Sequence, residues 1–224
     1  MKRFLAIILA TVMILNISLN FNIASASEQD IVWFENASSY DYVGSFSEGL
    51  FSIEKNEKYG FMNKQGEEVI PPIYDWTWDF YEDLAHVVMD GKWGVIDKTG
   101  KWVIPPIYEY LYLFRENLAN AQLNGKYGYI DKSGKIIIPF SYDYAGAFCE
   151  DLANVNINGR CGFIDKSGKV IIPFSYDNAG SFSEGLAFVG LNGRYGFIDK
   201  SGKIIIPLIY DSPDFSFNEG LAAV

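Results

Sequence analysis

One spacing governs this chain. The glycines in KYGFMNKQG, KWGVIDKTG, KYGYIDKSG, RCGFIDKSG and RYGFIDKSG are Gly60, Gly94, Gly128, Gly162 and Gly196, each 34 positions after the one before. Phe46, Phe80, Phe114, Phe148 and Phe182 keep the same interval, each opening an F-x-E-x-L stretch, and a sixth such stretch starts at Phe217 after a one-residue insertion. A fixed period of this length marks a tandem array, in which one supersecondary unit is copied because a single copy cannot bury its own apolar face. The array spans residues 40–224, with five complete units and a started sixth.

The same period also suits helix-pair repeats. These units, however, carry a proline after each VIP or IIP run, clustered β-branched residues and no sustained apolar spacing at three and four. The sequence therefore reads as all-β. Asp90-Gly91, Asn124-Gly125, Asn158-Gly159 and Asn192-Gly193 fit two-residue hairpin turns of type I′. Downstream, DKTG and DKSG suit a turn capped by Asp97, Asp131, Asp165 or Asp199 and closed by a left-handed glycine. Each unit is thus expected to be a three-stranded antiparallel meander, followed by an irregular link that holds a Y-D element and the phenylalanine stretch. Side by side, such units build a solenoid-like or superhelical array. A propeller-like ring is the alternative, less favoured because propeller blades usually have four strands. Leu84, Leu118, Leu152, Leu186, the strand-centre Ile and Val residues and the recurrent Phe and Tyr residues are the expected core. The glycine of each YG or WG pair is expected to let a neighbour lie against bare backbone.

The N-terminus has a different character. Lys2 and Arg3 precede an apolar run from Phe4 to about Leu15, and Ala24-Ser25-Ala26 supplies a small-residue cleavage site. Residues 1–26 read as a signal peptide and residues 27–39 as a lead-in, which places the mature protein in the secreted or cell-envelope compartment. Asn16, Ser18, Asn20 and Asn22 interrupt the run before it reaches the ~20 apolar residues of a span, so no membrane span is expected after cleavage. The net charge of −10 argues against nucleic acid as a partner.

GKWGVIDKTGKWVIPPIYE, together with FYEDLAHV, resembles a WG (KWG) repeat unit, and the resemblance runs over roughly residues 40–224. Trp93 is the naming tryptophan; Tyr59, Tyr127 and Tyr195 stand at its position in other units, and Cys161 departs from the pattern. The resemblance implies a bacterial, β-rich array, often exported, with interaction or scaffold roles and no shared catalytic mechanism. It supplies no site residues. NGKYGYIDKSGK is also similar, by analogy, to the hairpins of choline-binding and glucan-binding cell-wall repeats.

The residues themselves carry little catalytic chemistry, and no enzyme activity, cofactor or metal is expected. His86 is the single histidine, at a position held by Asn120, Asn154 and Phe188 elsewhere, and reads as a surface residue. Glu48, Glu82, Glu116, Glu150, Glu184 and Glu219 recur in every unit, which suits turn capping or hydrogen bonding between units better than a unique active site. The DKSG turns lack the alternating oxygen ligands of a calcium loop. Cys149 and Cys161 share one unit of an exported chain, as a candidate disulfide or as two free thiols. The link segments DWTWDF, EYLYLF and DYAGAF place Trp76, Trp78, Tyr110, Tyr112 and Tyr144 where neighbouring units would align them. Such a strip is either a binding face for sugars or protein ligands, or packing between units. The function expected is an exported non-catalytic scaffold for protein or cell-surface interactions; the alternative is a carbohydrate or cell-wall module using the strip. Partners would be a protein or a cell-wall glycan, with self-association through an unfinished C-terminal edge as a further route.

Overall fold

The computed structural model describes residues 39–211, with the backbone of residues 217–218 and 221–222. The expected signal peptide, the lead-in up to residue 38, Glu219 and Val224 lie outside the described residues. Each complete unit forms a four-stranded antiparallel sheet. The first comprises β1 (Tyr42–Ser47), β2 (Leu50–Lys55), β3 (Lys58–Asn63) and β4 (Glu68–Tyr74). The second comprises β5 (Trp76–Thr77), β6 (Leu84–Met89), β7 (Lys92–Asp97) and β8 (Trp102–Tyr108). The same order repeats through β9 (Tyr110–Leu111), β10 (Leu118–Leu123), β11 (Lys126–Asp131) and β12 (Ile136–Tyr142). It continues through β13 (Tyr144–Ala145), β14 (Leu152–Ile157), β15 (Arg160–Asp165) and β16 (Val170–Tyr176). The fifth sheet is β17 (Asn178–Ala179), β18 (Leu186–Leu191), β19 (Arg194–Asp199) and β20 (Ile204–Tyr210), and a hairpin of β21 (Phe217–Asn218) and β22 (Leu221–Ala222) follows.

Three strands per unit are those the turn pattern demands. The fourth is drawn from the link that the sequence leaves irregular. From the second unit on it is only two residues long, as in Trp76↔Val88 and Thr77↔Val87, too short for an alternation of apolar and polar residues to register. The extra strand removes the strand-count objection to propeller-like packing.

The turns follow from residue chemistry. Asn124 and Gly125 have φ of 53° and 73°, the left-handed pair that a type I′ hairpin needs. In the next turn Asp131 Oδ1 accepts from the Ser133 amide at 2.9 Å and the Lys135 amide at 3.0 Å, and this capping recurs at Asp97, Asp165 and Asp199. At Gly128 the last strand bulges, so that Tyr127 pairs with Tyr142 but Tyr129 with Ile138. A Cβ on Gly128 would stand 2.7 Å from the Ile138 carbonyl oxygen and 2.9 Å from the Phe140 nitrogen. Pro139 occupies the bulge, where no ladder donor is required of it.

The F-x-E-x-L stretch is itself a tight hairpin. Cys149 and Leu152 exchange backbone hydrogen bonds at 2.9 and 3.2 Å, and Glu150 and Asp151 between them have φ of 53° and 71°. The recurrent glutamate therefore occupies a left-handed position that a glycine or asparagine would hold at lower cost.

Side chains alternate in direction along each strand, so each sheet has two apolar faces. The cores lie between consecutive sheets. Leu50, Phe61, Ile70 and Tyr74 of the first sheet pack against Phe80, Ala85, Val87 and Ile96 of the second unit. Equivalent residues join the second to the third, the third to the fourth and the fourth to the fifth. Phe148 against Tyr129 and Phe182 against Phe163 repeat the contact of Phe80 with Phe61, with ring centroids 4.7–4.9 Å apart. Phe46, in the first sheet, is exposed; no earlier sheet stands against it among the described residues.

Candidate functional site

Alternation leaves the first residue of each short strand turned outward while its neighbour enters the core. Thr77 and Leu111 are buried, whereas Trp76, Trp78 and Tyr112 are exposed and Tyr110 is half-buried. Tyr144, ahead of the buried Ala145, is 51 % exposed. The tandem packing then brings these rings beside those at the WG position. Tyr59 meets Trp76 at 5.1 Å, Trp93 meets Tyr110 at 6.4 Å, and Tyr127 meets Tyr144 at 5.8 Å. Each pair straddles one junction between sheets. Tyr110 also approaches Tyr127 at 6.3 Å and Tyr112 at 6.4 Å, so Trp93, Tyr110, Tyr127 and Tyr144 form a continuous row. Sequence reasoning placed the link aromatics in a strip and missed that Tyr59, Trp93 and Tyr127 alternate with them. The cross-strand register Gln122↔Tyr110 and Gln122↔Tyr127 carries that signal, and it is invisible without the short strand.

The recurrent glutamates hold the junctions. Glu48 accepts from the Glu82 and Asp83 amides at 2.6 and 2.9 Å and pairs with Lys98 at 3.1 Å. Glu116 accepts from the Asp151 amide and pairs with Lys166, Glu150 accepts from the Gly185 amide and pairs with Lys200, and Glu82 pairs with Lys132. In each case the acceptor turn belongs to one unit and the donors to the next. The Asp83 amide, then Lys98 and the Glu82 amide, hold the Glu48 carboxyl below the usual range against partial burial.

His86 is not on the surface as the sequence suggests: it is 4 % exposed, with its ring 5.3 Å from that of Phe114. One ring nitrogen bonds to the Leu111 carbonyl of the next sheet and the other, Nδ1, has no partner. Asn120 and Asn154 make the equivalent bonds to Ala145 and Ala179, each at 2.9 Å, and their Oδ1 atoms are likewise unpartnered. In the second, third and fourth units the variable position is a buried donor that fastens one sheet to the short strand of the next. Burial pushes the His86 pKa down to about 4.

Cys149 and Cys161 are free thiols rather than a disulfide. Cys149 pairs with Leu152 and Cys161 with Asn156 along the same strand. Four residues of strand separate those partners, about 13 Å, whereas a disulfide needs Cα atoms within about 7 Å. Among the described residues no three His, Cys, Asp or Glu side chains gather as a metal site, and no helix is long and apolar enough to cross a membrane.

Among the described residues, concavities interrupt the surface at both ends of the sheets. One of about 600 Å³ lies at the F-x-E end, between Tyr81, Phe114, Arg115 and Cys149. Another, of about 490 Å³, lies between the fourth and fifth sheets beside Tyr144, with Asn154, Cys161, Asn178 and Tyr195 in its wall.

Comparison with known proteins bears on the fold and the family. Among solved structures, a eukaryotic initiation factor superposes with a TM-score of 0.50 at 11 % identity, over 78 % of this chain and 56 % of its own. Hsv2 of Kluyveromyces lactis gives 0.46 at 8 % identity, over 70 % of this chain and 58 % of its own. PorZ, a surface component of the type-IX secretion system of Porphyromonas gingivalis, gives 0.40 at 11 % identity, over 79 % of this chain and 27 % of its own. This chain thus spans little more than half of the first two, and the likeness concerns β-propeller-like architecture alone. No curated protein matches the sequence. The family profile described as WG containing repeat matches residues 39–59, 59–93, 93–127, 127–161, 162–195 and 195–224, each full match running from one WG position to the next across a junction. The chain belongs to the WG containing repeat family.

Proposed function

We propose that this chain works outside the cytoplasm as a non-catalytic repeat scaffold that presents a binding surface to protein partners or to the cell surface. The row of rings from Trp93 to Tyr144, with Trp76 and Trp78 beside it, carries this reading. Trp76, Trp78 and Tyr144, each about half exposed, together with the partly buried rings between them, form a patch that folding alone does not bury. The repeated carboxylates, by contrast, are engaged in holding units together. A cell-wall or carbohydrate ligand is the second reading, favoured by the exposed indoles of Trp76 and Trp78, whose flat faces suit the C–H face of a sugar.

The test is titration of the full chain against purified cell-wall material and a glycan panel, and capture of cell-surface proteins by cross-linking, beside a Trp76→Ala/Trp78→Ala double variant. Binding lost in the variant at unchanged melting temperature supports the surface. Binding retained, or a variant that melts far earlier, assigns the rings to packing. Sequencing the N-terminus of the exported protein checks the address, with Ser27 expected first.

A further inference from the structure

We infer that the cleft between the fourth and fifth sheets is a binding site for a single neutral pyranose ring. The inference rests on the chain being a binding protein but shares only Tyr144 with the exposed row of rings.

At three successive junctions a WG-position ring faces a link ring: Tyr59 with Trp76, Trp93 with Tyr110, and Tyr127 with Tyr144. At the fourth junction the same two positions hold Cys161 and Asn178. A thiol and a carboxamide replace two aromatic rings, and a cleft of about 490 Å³ opens where the rings would lie. Tyr144 and Tyr195 remain as walls on either side.

The lining chemistry narrows the ligand. Asn154 is 7 % exposed, lines the cleft, and spends its amide nitrogen on the Ala179 carbonyl, which leaves Oδ1 buried without a donor. That oxygen lies against the Gly146 backbone and is closed to solvent, so the groups free to meet a ligand's hydroxyls are those at the mouth. Asn178 is exposed at the mouth and adds a carboxamide able both to donate and to accept. Among the described residues no cation lines the space: Asp177 holds Arg160 at 2.5 Å and caps the Asn192 amide at 2.7 Å. An anionic ligand would meet the Asp177 carboxylate in a chain of net charge −10. Aromatic walls, amides and no free charge suit a ring with one C–H face and equatorial hydroxyls.

The experiment is saturation-transfer NMR and calorimetric titration of the full chain with methyl β-glucopyranoside, N-acetylglucosamine and glucuronate, and with the tetramer of N-acetylglucosamine. Saturable binding of a neutral pyranoside, with glucuronate at least about tenfold weaker, is expected. Ligand-dependent shifts should fall on the Tyr144 and Tyr195 rings. Cys161→Tyr installs the residue that Tyr59, Tyr127 and Tyr195 carry, and Asn178→Tyr fills the cleft from the opposite sheet. Either variant should keep the melting temperature and abolish binding, while Trp76→Ala/Trp78→Ala leaves it unchanged. Comparing monosaccharide with tetramer separates a free sugar from a residue of a glycan. Binding lost only in the tryptophan variant, undiminished binding by Cys161→Tyr, or no saturable pyranoside binding by the native chain overturns the proposal; the first of these leaves the exposed-row reading standing.

Discussion

His86, Asn120 and Asn154 occupy one structural position, and their chemistry gives the second junction a histidine titration that the third and fourth lack. The His86 imidazole is neutral and buried, with its pKa pushed down to about 4 from an ordinary value of 6.5. Below pH 6.5 the unfolded chain takes up a proton that the folded chain refuses, so stability present above that pH is lost as the pH falls toward 4. The loss approaches about 3 kcal/mol at its limit. His86→Asn should remove this slope and keep the bond to Leu111, which urea titrations at pH 7 and pH 5 would reveal. A second, lower window belongs to the carboxylates. The turn aspartates Asp97, Asp131, Asp165 and Asp199 are held below the ordinary range first by the hydroxyls of Thr99, Ser133, Ser167 and Ser201, and Glu48 first by the Asp83 amide. Their contribution is present above the unfolded carboxylate range near pH 4 and disappears as pH falls through the folded values. Melting temperatures should therefore drop steeply below about pH 4 even in the His86→Asn variant. The sequence could not place His86, because its neighbours in the repeat are amides and an aromatic, a set that reads as variable surface until the next sheet is seen to cover it.

The elements were legible in proportion to how locally they are specified. The Asn-Gly and Asp-Lys-Ser-Gly turns depend on residues adjacent in sequence, and the structure has both. The two-residue strands depend on a partner several residues away, as Tyr110 does on Gln122, and nothing in two residues announces that pairing. The bulge over Gly128 lies between these cases: the glycine was readable as a close approach, the identity of the approaching backbone was not. Gly128→Ala should force the Ile138–Phe140 segment outward and cost about 2–3 kcal/mol in chemical denaturation, since the obstructing atoms are main chain. Phe148→Ala, which empties a site 1 % exposed between the third and fourth sheets, should cost about 3–5 kcal/mol. An equal and smaller effect of the two substitutions would mean that the junction relaxes around both.

At the scale of the molecule, every core is held in common by two consecutive units, so copy number is a variable the fold tolerates. Excising residues 93–126 removes one whole period and joins Lys92 to Tyr127 with each remaining junction intact in kind. That shortened chain should fold, with a smaller denaturant slope in keeping with its smaller buried surface; a collapsed, dye-binding product would count against shared cores as the organising unit. The clamping glutamates give this sharing a direction in time. The left-handed conformation of each closes the hairpin of its own unit, but the carboxylates of Glu48, Glu116 and Glu150 take their donors from the turn and lysine of the following unit. An isolated sheet thus carries a latch with no strike plate. The carboxylate is engaged only when the neighbour arrives in the correct place, so assembly along the chain checks its own register, one unit at a time.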